Sequence, residues 1–248
     1  MNISILTIFP EMFDGFLNTS IIKKALLQKH ATIEVIDIRS FTDDKHNRVD
    51  DYPFGGGQGM VLFYQPVVAA IKSVKTNDSK AIMLTPAAYQ LNQQRVRTLA
   101  KETHLILICG HYEGFDERIL EHVDEVLSIG DYILTGGELA AMVVSDAIVR
   151  VIDGVITESS HLDESFENGL LEYPQYTRPQ EIDGYKVPEV LLSGHHENVR
   201  KWRLKESLRK TLKYRPDLLE KRIFSKEEEK FLQEISDEWL KLRSNYFE

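Results

Sequence analysis

Short apolar runs alternate with amphipathic stretches along the first 150 residues of the chain. Short runs with continuous or alternating apolar positions are typical of strands, whereas apolar residues three and four positions apart indicate helices. These patterns predict strands at 3–8, 32–38, 81–84, 105–108 and 125–129, and helices at 21–28, 66–74, 92–100 and 138–150. The run at 105–108 is apolar throughout, as expected of a central strand buried on both faces of a parallel sheet. The order of the elements predicts an α/β domain, a parallel sheet with helices on both faces.

Glycine and polar residues follow the ends of three predicted strands. Thr85-Pro86 follows the run at 81–84, a loop with Gly110 and Gly114 follows 105–108, and the glycine-rich segment 130–137 follows the last strand. Ligands of open α/β sheets bind at the carboxyl ends of strands, and glycine lets the backbone approach a ligand closely. The three loops therefore predict a ligand site. It is not a classical dinucleotide site, because residues 7–11 lack the GxGxxG pattern.

The rest of the chain divides into a long loop, a linker and a helical region. Residues 39–60 form a polar loop with four glycines between Gly55 and Gly59, and a loop of this length in a compact domain is usually functional. No Gly-Lys-Ser/Thr follows, so it is not a P-loop. Periodicity is absent from 153–186 and helical from Pro188 onward, with a last amphipathic helix predicted from Ser225 to about Leu242. The predicted domains are 1–152, a linker at 153–186 and a small all-α domain at 187–248.

Composition and charge restrict the class of protein. The 248 residues are 42% hydrophobic and 28% charged, which is typical of a soluble globular protein. The single Cys109 excludes an internal disulfide, and no apolar run is long enough for a membrane helix, so we expect a cytoplasmic protein with no membrane partner. The net charge of −9 argues against a general nucleic-acid coat. The segment from Arg200 to Arg222, however, contains ten cationic and only three anionic residues, which predicts a local basic patch.

Five motifs together resemble the bacterial tRNA (guanine-N(1))-methyltransferases, the TrmD family. They are GGGQGM at 55–60, CGHYEGFDERI at 109–119, SIGDYILTGGELAAM at 128–142, GLLEYPQYTRP at 169–179 and VPEVLLSGHHENVRKWR at 187–203. The resemblance extends from the first strand to about Leu219, and five long motifs in the same order make it highly specific. It implies a SPOUT methyltransferase, in which the α/β domain carries a deep C-terminal trefoil knot.

The resemblance implies that S-adenosylmethionine, the methyl donor, is bound by three knot loops, which coincide with the three predicted strand ends. The cofactor-binding residues that it implies are Leu84, Thr85, Pro86, Gly110, Tyr112, Glu113, Ile129, Gly130, Asp131, Tyr132, Ile133, Leu134, Gly136 and Gly137. This chain has Ala87-Ala88 where the family usually has Gln-Gly. No Cys/His set has zinc spacing, and Mg²⁺, which the resemblance allows as a second cofactor, has no ligand pattern here.

The resemblance also implies the reaction, methylation of ring nitrogen 1 of the guanosine immediately 3′ of the tRNA anticodon. This nitrogen carries a proton and is a poor nucleophile, so transfer needs a base there and a cation near the neighbouring oxygen. Arg150 matches the arginine that, in the family, stabilises the charge that develops on this oxygen. The family has an aspartate directly before Ser-Phe, where this chain has Glu164, with Asp163 one residue earlier. We favour Glu164 as the base and keep Asp163 as the alternative.

The same resemblance implies a homodimer with active sites shared between subunits, in which the linker orders over the site when tRNA binds. The residues that we expect to contact the RNA are Gly55, Gly57, Gly59, Ser165, His195, Arg200 and Arg203. Two alternatives stay open, a knotted methyltransferase that acts on another RNA nucleotide and a non-catalytic RNA-binding module.

Overall fold

The structure, a computed structural model, describes residues 1–156, 164–220 and 222–244. The chain forms two compact units, Met1–Glu158 and Ser159–Glu248. The boundary between them falls inside the segment 153–186, for which the sequence predicts a linker.

The first unit is built on a five-stranded parallel sheet. Its strands are β1 (Asn2–Thr7), β2 (Thr32–Asp37), β5 (Ser79–Gln90), β6 (His104–Cys109) and β7 (Glu125–Ser128), in the order β2-β1-β6-β5-β7. The sequence predicts all five strands, and β6 is the central one, as expected from its continuous apolar run. The predicted end of β5 at Leu84 is wrong, because the strand resumes and continues to Gln90.

Helices pack on both faces of this sheet. They are α1 (Asp14–Leu17), α2 (Ser20–Leu27), α3 (Tyr64–Val74), α4 (Gln93–Leu99) and α5 (Glu138–Val149). Residues of α2, α4 and α5 share one buried cluster with Leu105 and Leu107, whereas α3 shares the opposite cluster with Ile106 and Ile108. The alternation of side chains along β6 therefore divides the core into two layers. This confirms the predicted α/β class with helices on both faces.

The segment 39–60 contains more regular structure than the sequence predicts. A short 3₁₀ helix covers Ile38–Phe41, and β3 (Asp50–Asp51) pairs antiparallel with β4 (Val61–Leu62). The glycines between Gly55 and Gly59 lie in the turn region between these two strands, where they are neither helix nor strand. The long loop thus contributes to a two-stranded ribbon with a glycine-rich connection, and Val49 and Leu62 of this region are buried.

His104 joins three strands at the amino end of the sheet. Its Nε2 lies 3.0 Å from the hydroxyl of Ser4 on β1, and its Nδ1 lies 2.7 Å from the hydroxyl of Ser79 on β5. Burial lowers the pKa of His104, because a charged imidazolium is poorly solvated there. Both nitrogens are therefore held in a neutral ring.

This geometry predicts how stability changes with pH. The unfolded chain takes up a proton at His104 near its ordinary pKa of about 6.5, whereas the folded chain resists it to lower pH. The free energy of unfolding should therefore fall as the pH drops below about 6.5. Urea denaturation at pH 7 and pH 5 checks this. The decrease in the free energy of unfolding between the two pH values should be smaller in His104→Gln than in the native protein. The exposed His46 provides the control, and an equal reduction in His46→Gln would contradict the assignment.

The described part of the second unit is mainly helical. Its elements are a hairpin of β8 (Glu181–Ile182) and β9 (Tyr185–Lys186), then α6 (Glu189–Leu192), α7 (His196–Tyr214), a 3₁₀ turn (Pro216–Leu218) and α8 (Lys226–Ser244). Ser225 and Glu228 form a capping box at the start of α8, because each backbone N–H donates to the other side chain, at 2.8 and 3.2 Å. This confirms the predicted start of the last helix. None of the described helices is both long and apolar enough to cross a membrane.

Part of the predicted linker is built into this second unit. Leu170 is 1% exposed and shares a core cluster with Leu208 and Ile235 from the two long helices. The backbone N–H of Leu171 donates to the Thr211 hydroxyl at 2.8 Å, which fixes the segment against α7. The hairpin β8–β9 also lies within 153–186. From Glu164 onward, the segment lacks periodicity because it consists largely of turns that pack on this core.

Candidate functional site

Three loops meet around a cavity of about 360 Å³, one at the interruption of β5 after Leu84 and two at the carboxyl ends of β6 and β7. The residues that line it are Leu84, Thr85, Pro86, Ala87, Gly110, His111, Tyr112, Glu113, Gly114, Phe115, Leu127, Ser128, Ile129, Gly130, Tyr132, Ile133, Leu134, Thr135, Gly136, Gly137 and Ala140. Every cofactor-binding residue expected from the sequence is among them except Asp131. The carboxylate of Asp131 instead accepts a hydrogen bond from Gln90 Nε2 at 2.6 Å.

The first loop interrupts β5. Leu84 and Tyr89 both pair with Leu127 of β7, so the four residues between them are looped out of the strand toward the cavity. Ala87 and Ala88 belong to this loop, and neither has a positive φ angle. The alanines that replace the family's Gln-Gly are therefore accommodated without a left-handed backbone.

The second loop, 110–116, is held by the segment that follows the glycine-rich turn. The backbone N–H of Glu113 donates to Met60 O, and that of Leu62 donates to Gly114 O, both at 3.0 Å. Gly59 has a φ of +87°, and a Cβ there would lie 2.5 Å from Glu113 Cγ. Gly59 thus supports a wall of the cavity from behind. At Gly55 an added Cβ would meet nothing within 4 Å, and at Gly57 it would meet only Pro53 Cγ, at 3.8 Å.

The third loop passes directly against the second. The N–H of Gly137 donates to Gly110 O at 2.6 Å, and a Cβ at Gly137 would lie 2.8 Å from both Cys109 Cα and Gly110 N. No side chain fits at this crossing, since the atoms that it would meet are backbone. Glycine is therefore required at Gly137, because two chain segments approach each other closely at this point.

A buried polar group lies behind this crossing, and the sequence analysis missed it. Glu138, in the first turn of α5, is 1% exposed and accepts a hydrogen bond from the Thr7 hydroxyl at 2.7 Å. Its other carboxylate oxygen lies 3.8 Å from His111 Nδ1, and His111 lines the cavity. The sequence signal was present, since His111 lies between the two cofactor residues Gly110 and Tyr112. The role of His111 could not be inferred without the contact to Glu138.

The expected catalytic residues belong to different units. Arg150 is half-buried at the end of α5, as predicted, and its backbone N–H donates to Asp146 O at 3.1 Å. Glu164 is half-buried at the start of the described part of the second unit, and Asp163 lies outside the described residues. The hydroxyl of Ser165 accepts a hydrogen bond from the N–H of Glu172 at 2.9 Å.

The basic stretch is less positive than its sequence indicates. Arg200 is bound by Glu197 and by Glu227 of α8, each at 2.9 Å, and these hydrogen bonds raise its pKa while that of Glu197 falls to about 2. Similar ion pairs join Lys205 to Glu234 and Glu238, Arg209 to Glu206 and Glu238, Arg215 to Asp217 and Arg222 to Glu228. Carboxylates of α8 therefore neutralise much of the positive charge of α7. Lys221 lies outside the described residues.

Three cations of α7 form no such ion pair with the part of the chain that the structure describes. Arg203 lies over the ring of Tyr173 with 4.7 Å to the centroid, and Lys213 lies over Tyr214 at 4.9 Å. Lys210 has no carboxylate partner within the described ranges of the chain. His195, at the start of α7, is exposed. Lys210 and Lys213 follow Arg203 by seven and ten residues, so the three share a helical face that we call the open cation face.

The cavity suits a nucleoside-sized ligand. Its volume lies within the range of small-molecule sites, and its walls combine apolar side chains with glycine backbone that offers N–H and C=O groups. No group of three or more His, Cys, Asp and Glu side chains that could hold a metal ion occurs among the described residues.

Comparison with known proteins gives a family match and close relatives. The family model described as "tRNA (Guanine-1)-methyltransferase TrmD" matches residues 1–221. A tRNA (guanine-N(1)-)-methyltransferase of Spiroplasma kunkelii is 55% identical over 236 residues, 95% of this chain and 88% of the relative. Proteins of the same name from Dictyoglomus turgidum and Syntrophomonas wolfei are 51% and 55% identical, over 96% and 95% of this chain and 98% and 97% of the relatives.

Proposed function

Because the chain belongs to the tRNA (guanine-1)-methyltransferase TrmD family, it is a tRNA methyltransferase, and we propose that it methylates ring nitrogen 1 of the guanosine immediately 3′ of the anticodon. The observation that carries the proposal is the cavity where three loops meet, which contains all but one of the cofactor residues expected from the family motifs. A non-catalytic RNA-binding module would not need these loops to converge.

S-adenosylmethionine is the proposed methyl donor, and when bound it supplies an electrophilic methyl group on a sulfonium sulfur. The segments Leu84–Ala87, 110–115 and 127–137 would hold it, because their backbone groups and apolar side chains suit an adenine and a ribose. The crossing of Gly137 over Gly110 would keep the second and third loops at a fixed spacing. Mg²⁺, if it takes part, would need ligands from outside the described residues or from the substrate.

The deep knot expected for the SPOUT fold is also part of the proposal. β7 lies at the edge of the sheet, yet the loop after it returns to the centre, where Gly137 bonds to Gly110 directly after β6. Gly136 forms a bridge with His111 in the same place. A chain that leaves an edge strand and returns to lie against the loop of the central strand supports the proposal of a trefoil knot.

Two side chains would carry the chemistry. A carboxylate, with Glu164 favoured over Asp163, would accept the proton from guanine nitrogen 1 as that nitrogen forms a bond to the methyl carbon. The electron pair of the broken carbon–sulfur bond stays on sulfur. The guanidinium of Arg150 would stabilise the negative charge that develops on the neighbouring guanine oxygen. In a dimer with shared sites, the base would be the partner subunit's Glu164.

A methyl-transfer assay on unmodified tRNA, followed by mapping of the modified nucleotide, tests this function. We expect one methyl group per tRNA, on nitrogen 1 of the guanosine 3′ of the anticodon. Methylation elsewhere would favour the knotted methyltransferase with another RNA target. No methylation by a protein that binds tRNA would favour a binding module.

The proposed homodimer gives a separate prediction. Light scattering at micromolar concentration without RNA should give twice the 28.6 kDa chain mass. A monomer mass under the same conditions would contradict the shared active site.

The open cation face is the part of α7 that we expect to bind tRNA phosphates. Replacing Arg203, Lys210 and Lys213 by Gln should weaken tRNA binding and reduce the slope of log K against log salt by about one for each phosphate that the variant no longer neutralises. Affinity for the cofactor should not change. Filter binding over a salt series measures the slopes. The single variant Arg215→Gln is the control, because Arg215 is already paired with Asp217 at 2.7 Å. A larger effect there would place the RNA-binding surface elsewhere.

A further inference from the structure

The environment of His111 is more ordered than that of an ordinary cavity side chain. Its ring makes edge contacts with Phe9 and Tyr112, with centroids 4.9 and 4.8 Å away. Its Nδ1 is buried and faces Glu138, whose Oε2 lies 3.8 Å away. Gly136 allows this approach, since a Cβ there would overlap both groups. Three separate segments therefore determine the orientation of one imidazole.

Glu138 is in turn fixed from the other side. The Thr7 hydroxyl at the end of β1 donates to Glu138 Oε1 at 2.7 Å and accepts a hydrogen bond from Phe9 N–H at 3.0 Å. Burying a carboxylate costs free energy unless its oxygens are hydrogen-bonded or paired. The 3.8 Å between Glu138 Oε2 and His111 Nδ1 is longer than a hydrogen bond, but a carboxylate at this distance still favours a proton on the nearer nitrogen. Since Nδ1 is shielded, Nε2 is the polar atom that His111 can offer to a ligand.

The distribution of charge around the cavity indicates which part of a ligand this would be. Among the lining residues, His111 is the one imidazole and Glu113 the one carboxylic acid, and both belong to the loop after β6. The other two loops supply mostly apolar side chains and glycines. An amino-acid group, with an ammonium and a carboxylate, complements a carboxylate and an imidazole. The adenine and ribose have no such charges.

We propose that His111 is a binding residue for the amino-acid end of S-adenosylmethionine, and that Glu138 and Thr7 are positioning residues for its ring. This inference rests on the proposed function, because it takes the cavity to be the cofactor site. With its proton on Nδ1, His111 Nε2 accepts a hydrogen bond from the ammonium of that group.

Calorimetry with two probes tests the inference. S-adenosylhomocysteine carries the amino-acid end, whereas 5′-methylthioadenosine lacks it. His111→Asn keeps a polar group near the Nδ1 position only, so S-adenosylhomocysteine should bind about tenfold more weakly, the usual loss for one hydrogen bond to a charged group. Affinity for 5′-methylthioadenosine should stay within about twofold. His111→Gln restores a polar group near the Nε2 position and should recover part of the loss.

The positioning role is tested with Glu138→Gln and Thr7→Val, which keep the size of each side chain. Both should reduce affinity for S-adenosylhomocysteine selectively, by less than His111→Asn does. Ser145→Ala is the control, a buried hydroxyl on the same helix, and it should change neither affinity. If a positioning variant unfolds, as thermal melting would reveal, the pair of His111 variants still decides the binding role.

Three outcomes would overturn the inference. Equal weakening of both probes would make His111 a structural residue of the cavity. Unchanged affinity for both would remove it from the site. Loss confined to unmodified tRNA, measured in parallel, would mean that His111 binds RNA. If the native protein bound neither probe, the proposed function itself would fail.

Discussion

Gly137→Val should weaken binding of the cofactor by roughly a hundredfold. Even the first atom of the new side chain would lie 2.8 Å from Cys109 Cα and Gly110 N, so the second and third loops would have to separate. The hydrogen bond from Gly137 N to Gly110 O, now 2.6 Å, would be broken as they move apart. Overpacking of this kind costs about 1–3 kcal/mol, and roughly a hundredfold in affinity corresponds to the upper end of that range.

Titration calorimetry with S-adenosylhomocysteine measures the loss, and thermal melting verifies that the variant is folded. Gly15→Val is the matched control, since an added Cβ at Gly15 meets nothing within 4 Å. That variant should bind the ligand like the native protein. Native affinity in a folded Gly137→Val protein would mean that the crossing of the two loops does not shape the cofactor site.

The sheet and the position of the cavity could be predicted because their causes are local. The run at 105–108 is apolar throughout, which is typical of a central strand of a parallel sheet, because such a strand is buried on both faces. Loops that follow such strands meet at one edge, so the glycines after β6 and β7 already indicated a site. The order of the apolar runs therefore determines most of the first unit.

Contacts between distant segments could not be predicted in the same way. Pro86-Ala87-Ala88 gives a local signal for the end of a strand, but β5 resumes at Tyr89 because β7 offers further backbone partners. The side chain of Asp131 lies in a predicted cofactor loop yet bonds to Gln90, 41 residues earlier. Spacing within a loop does not determine which side chains face the cavity.

The charge of α7 is another property that depends on contacts between distant segments. A count of charges between Arg200 and Arg222 does not include the carboxylates of α8. Glu227, Glu234 and Glu238 of this later helix form ion pairs with α7. Once the two helices pack, these carboxylates neutralise three of the cations. The buried Glu138 was missed for a related reason: its sequence position suggests only a favourable charge at a helix start.

Glu164→Gln should cut the rate of methyl transfer by roughly a hundredfold or more, the usual scale for loss of a general base. Binding of tRNA and of the cofactor should stay nearly intact, because the amide keeps the size of the side chain. Asp163→Asn should have a much smaller effect. Single-turnover assays with saturating tRNA are needed, since these conditions separate chemistry from binding.

Glu164→Asp provides the positive control for this comparison. It restores the side chain that the family has directly before Ser-Phe, and aspartate has an ordinary pKa close to that of glutamate. The variant should therefore remain active, whereas the isosteric Gln variant should not. The opposite ranking, with Asp163→Asn inactive and Glu164→Gln active, would move the base one residue earlier. The segment before Ser165 would then be out of register with the family, and the shared site would be built from the neighbouring carboxylate.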